Sequence, residues 1–428
     1  MLTIGPMNAL FMHIWTLILT NSDITRFMKR QIKIAMRLLA EDGTSGTVCY
    51  RLTYGRKSRD VASTHKVLVS EWDALKGEIT DRDADGDRRD FLHDVRLLLA
   101  EDVDRLQRIA TSFEESGQRW RFDDVVSAFR DRSDSLSTFM GDIITSMVNC
   151  GKIRTAEGYR SALNSFMRFR RGHEIDLADI SAEMMLRYEA FLRRNGVSKN
   201  SSSFYMRIFR AVHNRAIDSG LASANGAFRH VYTGVDKTVK RALPLTMVRR
   251  IKEIDLKGCR RTEYARDMFL LSFYLRGMSF IDMSYMRKSD LKRGILTYRR
   301  RKTGQALTVK WEKCMQEIVD RYTTGDSVYL LPIIDSNSNV DERRQYLNMA
   351  HNVNRSLKTI GELLGLSMPL TMYVARHSWA SIARSKNVPL SVISAGMGHD
   401  SEATTRIYLA ELDTVAVDKA NSMILRSL

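Results

Sequence analysis

Apolar and polar residues alternate from Met28 to about Asp73, in the runs Gln31 to Leu39 and Val48 to Tyr54 and in a return run after Gly55. A Gly43-Thr44-Ser45-Gly46 turn divides the first two, so the pattern predicts a small sheet with the turn Arg56-Lys57-Ser58-Arg59 projecting from it. From Arg88 to about Asp134 the period lengthens. Phe91, Val95, Leu98, Leu99, Val103 and Leu106 recur at helical spacing and predict a helical connector.

Ser135 to about Gly234 predicts a compact helical bundle. Thr155 is expected to cap a helix that turns Ala162, Leu163, Phe166 and Met167 inward and keeps Arg160, Arg168, Arg170 and Arg171 outside. Asn200-Ser201 precede another, with Phe204, Ile208, Ala211 and Val212 on its packed face and Arg207, Arg210 and Asn214 opposite. The stretch Asp236 to Leu243 carries Lys237, Lys240 and Arg241 and reads as a basic linker. Thr246 starts a new domain.

In that domain an apolar helix ends at Leu275, Gly277 permits a tight turn, and Ser279 with Asp282 predicts the cap of the next helix. Gly294 to Arg299 and Ala306 to Val309 predict a hairpin with Lys302-Thr303-Gly304 at its tip. Arg376 and His377 begin a helical run, and the run from Val388 closes at Gly396 with His399 just beyond. Val417, Ala420, Ile424 and Leu428 form a final apolar stripe.

The fold class expected is mainly α with small β-sheets, in several domains. Residues 1–27 are an extension, 28–134 a β-rich domain with its helical connector, 135–235 a helical domain, 236–243 a linker, and 244–428 a mixed α/β domain with a C-terminal helix.

Charge narrows the partners. There are 67 Lys and Arg against 50 Asp and Glu, a net charge of +17. Such an excess favours a polyanion, with nucleic acid first, because each neutralised phosphate releases condensed counterions. The basic hairpin Arg56-Lys57 and the helix face bearing Arg207 and Arg210 are the candidate contacts, with Lys237, Lys240 and Arg301. Cys49, Cys150, Cys259 and Cys314 lie far apart and form no CxxC pair, so neither a zinc site nor a disulfide framework is suggested. The apolar run Ile4 to Leu19 has no Lys or Arg before Arg26, and His13 interrupts it. It reads as neither secretory signal nor membrane anchor, but as a start codon placed too far upstream of Met28. The localisation expected is cytoplasmic, on the nucleoid.

The chemistry concentrates late in the chain. Arg276 sits between two helix ends, a rigid mount for bidentate phosphate binding. Between Arg287 and Lys302 there are eight basic residues and one acidic one, and a lysine at the hairpin tip can deliver a proton to a leaving oxygen. Asp282 is expected to cap a helix or to partner the arginine rather than to act as an acid. His377 is expected to support its neighbour.

The series Arg276, Lys302, Arg376, His399, Tyr408, with Gly396-Met397-Gly398-His399-Asp400 and Thr405-Arg406-Ile407-Tyr408-Leu409 around its end, resembles the signature of the tyrosine recombinase (phage integrase) family. The helical segment resembles that family's core-binding domain. The strand-rich start is similar to the arm-binding domain of integrases of conjugative elements and of DNA invertases. The resemblance implies that Arg276 and Arg376 clamp a scissile phosphate, His399 donates to its oxygens, Lys302 protonates the leaving 5′ oxygen, and Tyr408 attacks. It implies duplex DNA with specific sites, a homotetramer joined through the C-terminal stripe, an accessory DNA-bending protein, and neither metal nor other cofactor. Tyr373 stands where the family usually has histidine, so it is expected at the site in a modified role. The alternatives are a non-catalytic regulator of the same fold and a type IB topoisomerase.

Overall fold

The computed structural model describes residues 30–38, 43–117, 121–236, 241–322, 325–399, 401–402, 405 and 421–426. The chain divides into two compact units at Asp236/Lys237.

The first unit opens with the antiparallel strands β1 (Gln31–Leu38), β2 (Ser45–Tyr54) and β3 (Lys57–Leu68), and a two-stranded pair, β4 (Trp72–Asp73) and β5 (Glu78–Ile79), follows. Val48, Tyr50 and Leu52 alternate onto the buried face of β2 and pack against Leu92, Val95, Leu99 and Leu106 of α1 (Gly86–Glu115). Val125, Val126 and Phe129 of α2 (Phe122–Arg130) close that core. The apolar stripe of α1 thus runs through Leu92 rather than Phe91, which is only partly buried. The sheet covers one side of the helix, where apolar residues meet.

The other side of α1 is charged, and it is docked rather than solvated. It faces the bundle formed by α3 (Leu136–Asn149), α4 (Ile153–Phe169), α5 (Ala182–Arg194) and α6 (Lys199–Asp218). Glu101 binds Arg170 at 2.6 Å and Arg187 at 3.3 Å, Asp94 binds Arg171 at 2.8 Å, and Arg108 binds Asp179 at 2.7 Å. Arg105 holds Asp176 and the Phe129 and Asp131 carbonyls. Arg170 is therefore buried and committed to Glu101, not outside as its helical position predicts.

Two helix starts also differ from expectation. Gly151, at φ 71°, ends α3 in a left-handed turn, and the chain re-enters a helix at once with Lys152 as N-cap, so Thr155 falls within the first turn. Ser198 caps α6, accepting from Ser201 N, which frees Asn200 to hold the Asp236 backbone through both amide atoms at 2.7 and 3.0 Å. The buried face of α6 accordingly includes Met206, Ile208, Phe209 and Val212. Phe204 stays half exposed, lying over Gly158, where a Cβ would come within 2.9 Å of its ring.

Beneath the sheet Tyr50 donates to Asp102, whose other oxygen meets His173 Nε2 at 3.1 Å. The His173 ring lies 5.4 Å from that of His65. Burial, then the charges of His173, Arg170 and Arg171, push the His65 imidazole down to about 4 against the pull of Asp102. A depressed folded value means that the unfolded chain binds the proton first. This contribution is thus complete above about 6.5 and is lost as pH falls toward about 4, by on the order of 2–3 kcal/mol. Thermal melts across that window should show His65→Phe losing less stability on acidification than the parent. Equal losses would refute the assignment.

The second unit is built on α8 (Arg260–Tyr274), which follows α7 (Leu245–Glu253) and leads into α9 (Phe280–Ser284). Its buried face, with Met268, Phe269 and Leu271, forms the main core. The antiparallel strands β6 (Leu291–Lys292), β7 (Ile295–Arg299) and β8 (Ala306–Lys310) come next, with Tyr298 opposite Leu307. The helices α10 (Lys313–Asp320), α11 (Glu342–Leu363), α12 (Met372–Ser385) and α13 (Leu390–Met397) complete the order, and both α11 and α12 pack on α8. No described helix is long and apolar enough to cross a membrane.

Candidate active site

The site grows from the end of α8. Leu275 is the C-cap, and Arg276 and Gly277 both take left-handed backbone, φ 60° and 73°, so that Gly277 N reaches back to Ser272 O at 2.8 Å. An arginine in this conformation costs on the order of 1 kcal/mol that a glycine would avoid. Its side chain passes Gly396 of α13, where a Cβ would lie 3.7 Å from Arg276 Cδ, and Nη1 donates to Thr308 O of β8 at 3.3 Å.

Gly277 is fixed by contact as well as by φ. A Cβ there would lie 2.5 Å from Arg376 Cα and 2.9 Å from Cβ and Cγ. Gly277→Ala should lower stability by at least ~2 kcal/mol, since strained backbone and a clash with main chain coincide. It should also displace Arg376. A variant with an unchanged melting temperature would contradict this.

Arg376 lies in the second turn of α12, not at its start, because the helix begins at Met372, whose N–H is met by Asn354 Oδ1 of α11 at 2.9 Å. The arginine is buried. Nη1 donates to Gly277 O at 2.8 Å, and Nη2 to Met397 O at 2.7 Å and to His399 Nε2 at 2.9 Å. A guanidinium only donates, so Nε2 must accept and the ring proton sits on Nδ1, facing Thr405 Oγ1 at 2.8 Å. Thr405 is fully buried, and its hydroxyl, able to donate or accept, accepts from the Nδ1–H that Arg376 dictates. Gly398, at φ 64°, caps α13 and turns the chain outward so that His399 follows directly.

Lys302 occupies the exposed turn between β7 and β8, closed by Gly304 N donating to Arg300 O at 2.7 Å and Arg300 N to Gln305 O at 2.9 Å. The Asp282 carboxylate accepts from Ser279 Oγ at 2.6 Å and from Arg301 N at 2.9 Å, so it anchors the lysine hairpin rather than partnering Arg276. Arg301 lays its guanidinium 3.7 Å from the Tyr285 ring centroid. Tyr298 of β7 lies behind the hairpin. Burial, reinforced by Asp282, pushes its phenol up to about 12 against the pull of Arg300, Arg376 and Arg276, so it stays protonated at neutral pH.

Three of the expected residues, Arg276, Arg376 and His399, are thus brought together, with the Lys302 hairpin beside them. Tyr373 lies one turn before Arg376, 54% exposed, its ring edge-on to His377 at 4.6 Å. Arg56 and Lys57 stand exposed at the β2–β3 turn, and Arg207 and Arg210 are exposed on α6. Tyr408, Lys237, Lys240, Val417, Ala420 and Leu428 lie outside the described residues, while Ile424 is 62% exposed. Sequence reasoning missed Arg300, Thr405 and the approach of Gly277 to Arg376. Only the glycine, beside a positive-φ turn, offered a local signal.

Residues 250–414 match the phage integrase family, and residues 135–230 match the phage integrase SAM-like domain. The tyrosine recombinase XerA of Thermococcus kodakarensis is 26% identical over 238 residues, which is 54% of this chain and 77% of that protein. A lambda integrase dimer bound to a COC′ core site superimposes with a TM-score of 0.51 at 15% identity, over 90% of this chain and 98% of that one. A shorter lambda integrase in the same kind of complex gives 0.52 at 16% identity, over 65% and 98%. The sheet-bearing start, the helical bundle and the mixed α/β unit are the architecture of these integrases.

Proposed function

The chain belongs to the tyrosine recombinase (phage integrase) family, and from that premise we propose that it is a site-specific recombinase that cuts and rejoins duplex DNA through a 3′-phosphotyrosyl intermediate. The observation that carries this reading is the bracing of Arg376 between the Gly277 and Met397 carbonyls with His399 on its outer edge, while the Arg276 loop packs against it. Strongly cationic, preorganised donors in one cluster suit the charge of a pentacoordinate phosphate.

In this mechanism Arg276 and Arg376 hold the non-bridging oxygens. As phosphate enters, Arg376 Nη2 turns from Nε2 to oxygen, and the imidazole, held at Nδ1 by Thr405, takes a proton from water at the freed Nε2 and becomes a second donor. Tyr408 Oη forms the new bond to phosphorus and gives up its proton to bulk water. The P–O5′ bond breaks, and Lys302 supplies the proton that the 5′ oxygen takes. Attack by a 5′-hydroxyl from a partner strand reverses these steps and joins the exchanged strands without net hydrolysis. Tyr373, a phenol in place of an imidazole, contributes a hydrogen bond to phosphate rather than a base at neutral pH. The partners are duplex DNA with defined sites and three further copies of the chain.

The test is covalent capture on fragmented host DNA: denature, purify the protein and sequence what remains attached. Recurrent fragments joined through 3′ ends support the reading. Reversible binding with no adduct, even on nicked duplexes of the bound sequence, would favour a regulator. Relaxation of supercoils without strand exchange between two captured sites would favour a topoisomerase.

A further inference from the structure

Arg300 lies two residues before Lys302, yet its side chain is buried. Its Nη1 donates to the carbonyl of Gly398, the residue immediately before His399. Its backbone closes the Lys302 turn, through the bonds to Gln305 O and from Gly304 N. The contact is continuous with packing. A Cβ on Gly398 would fall 2.7 Å from Leu307 Cδ1, 2.8 Å from Arg300 Cδ and 3.1 Å from Gln305 Oε1, so the end of α13 rests directly on the hairpin. Asp282 holds the neighbouring residue from the α9 side.

We propose that Arg300 is a positioning residue that docks the Lys302 hairpin onto the backbone presenting His399, so that the leaving-group acid is registered to the phosphate clamp. This rests on the recombinase reading. The physical case is that a two-stranded tip with an exposed lysine has little packing of its own, and one charged donor to a buried carbonyl, worth more than a neutral bond, removes that freedom. A buried guanidinium without this acceptor would be costly, which makes the docked arrangement the favoured one.

The experiment compares Arg300→Met with the parent on nicked duplexes of a captured site, carrying either the natural 5′-bridging oxygen or a 5′-bridging sulfur. Sulfur leaves as a thiolate and needs no proton, so a defect in the placement of Lys302 disappears on that substrate, whereas a defect in the clamp remains. R300M should cleave the oxygen substrate roughly a hundredfold more slowly, about the share of one general acid. It should approach the parent within a few-fold on the sulfur substrate, as Lys302→Ala also should. An unrescued loss would place the effect of Arg300 in the phosphate clamp rather than in Lys302, and an unchanged oxygen rate would make the bond idle. Either result overturns the proposal. If R300M does not fold, R300K, which keeps the charge but not the fork, is judged by the same rescue. Amide hydrogen exchange on the DNA-free protein gives a readout independent of cleavage. Protection at residues 301–305 should fall in the variant, and unchanged protection refutes the docking even if the recombinase reading itself has failed.

Discussion

Tyr408→Phe is expected to bring covalent capture and strand joining to background while leaving affinity for the recombination site within a few-fold. In the proposed mechanism the phenol oxygen is the atom that bonds phosphorus, and no rearrangement of cations replaces it. In the same reading affinity comes from elsewhere, because the exposed arginines of α6, the Arg56-Lys57 turn and the cationic cluster around Arg376 remain. The measurement is the yield of protein-linked DNA after denaturation, with binding followed separately by fluorescence anisotropy at fixed salt. Persistence of the adduct in the variant would identify another nucleophile. Tyr373, the exposed phenol one turn before Arg376, would be the first to examine.

Arg376→Ala carries the second large effect, and it acts twice. Cleavage should fall by about 10³-fold or more, since in the proposed clamp one guanidinium supplies charge and geometry to the same oxygens and single preorganised donors already account for about 10²–10³. Stability should fall as well. The Gly277 and Met397 carbonyls lose their donors, and each unsatisfied buried acceptor costs about 1–3 kcal/mol. Arg376→Lys separates the two roles. An ammonium on a flexible stem keeps the charge but cannot bridge both carbonyls and still face His399. It should bind DNA nearly as the parent does, yet cleave about a hundredfold more slowly. Single-turnover cleavage with parallel melting curves decides this, and a lysine variant at the parent rate would mean that the fork is dispensable.

Much of this architecture was legible in the order of residues. The strands around Arg56-Lys57, the turn at Gly277, the cap at Ser279, the Lys302 hairpin and the placement of His399 beyond a helix all rest on local rules. Positive φ favours glycine, a hydroxyl meets free N–H groups, and alternation of apolar residues sets a strand. The series from Arg276 to Tyr408 pointed to phosphodiester chemistry for the same reason, since its residue types state what each can do.

What only the tertiary structure decided are the pairings between distant segments. Arg170 and Arg300 look in sequence like any other surface arginine. One is buried against Glu101 and the other against the Gly398 carbonyl, because α1 passes beside the first and α13 ends beside the second. Asp282 anchors the lysine hairpin instead of an arginine. The tautomer of His399 is set by Arg376, which can only donate, and Thr405 accepts from the other ring nitrogen. Periodicity reports which face of an element is buried, and composition reports what a side chain can bind. Neither specifies which of 67 basic residues meets a given acceptor, because that choice depends on how helices and hairpin pack in three dimensions.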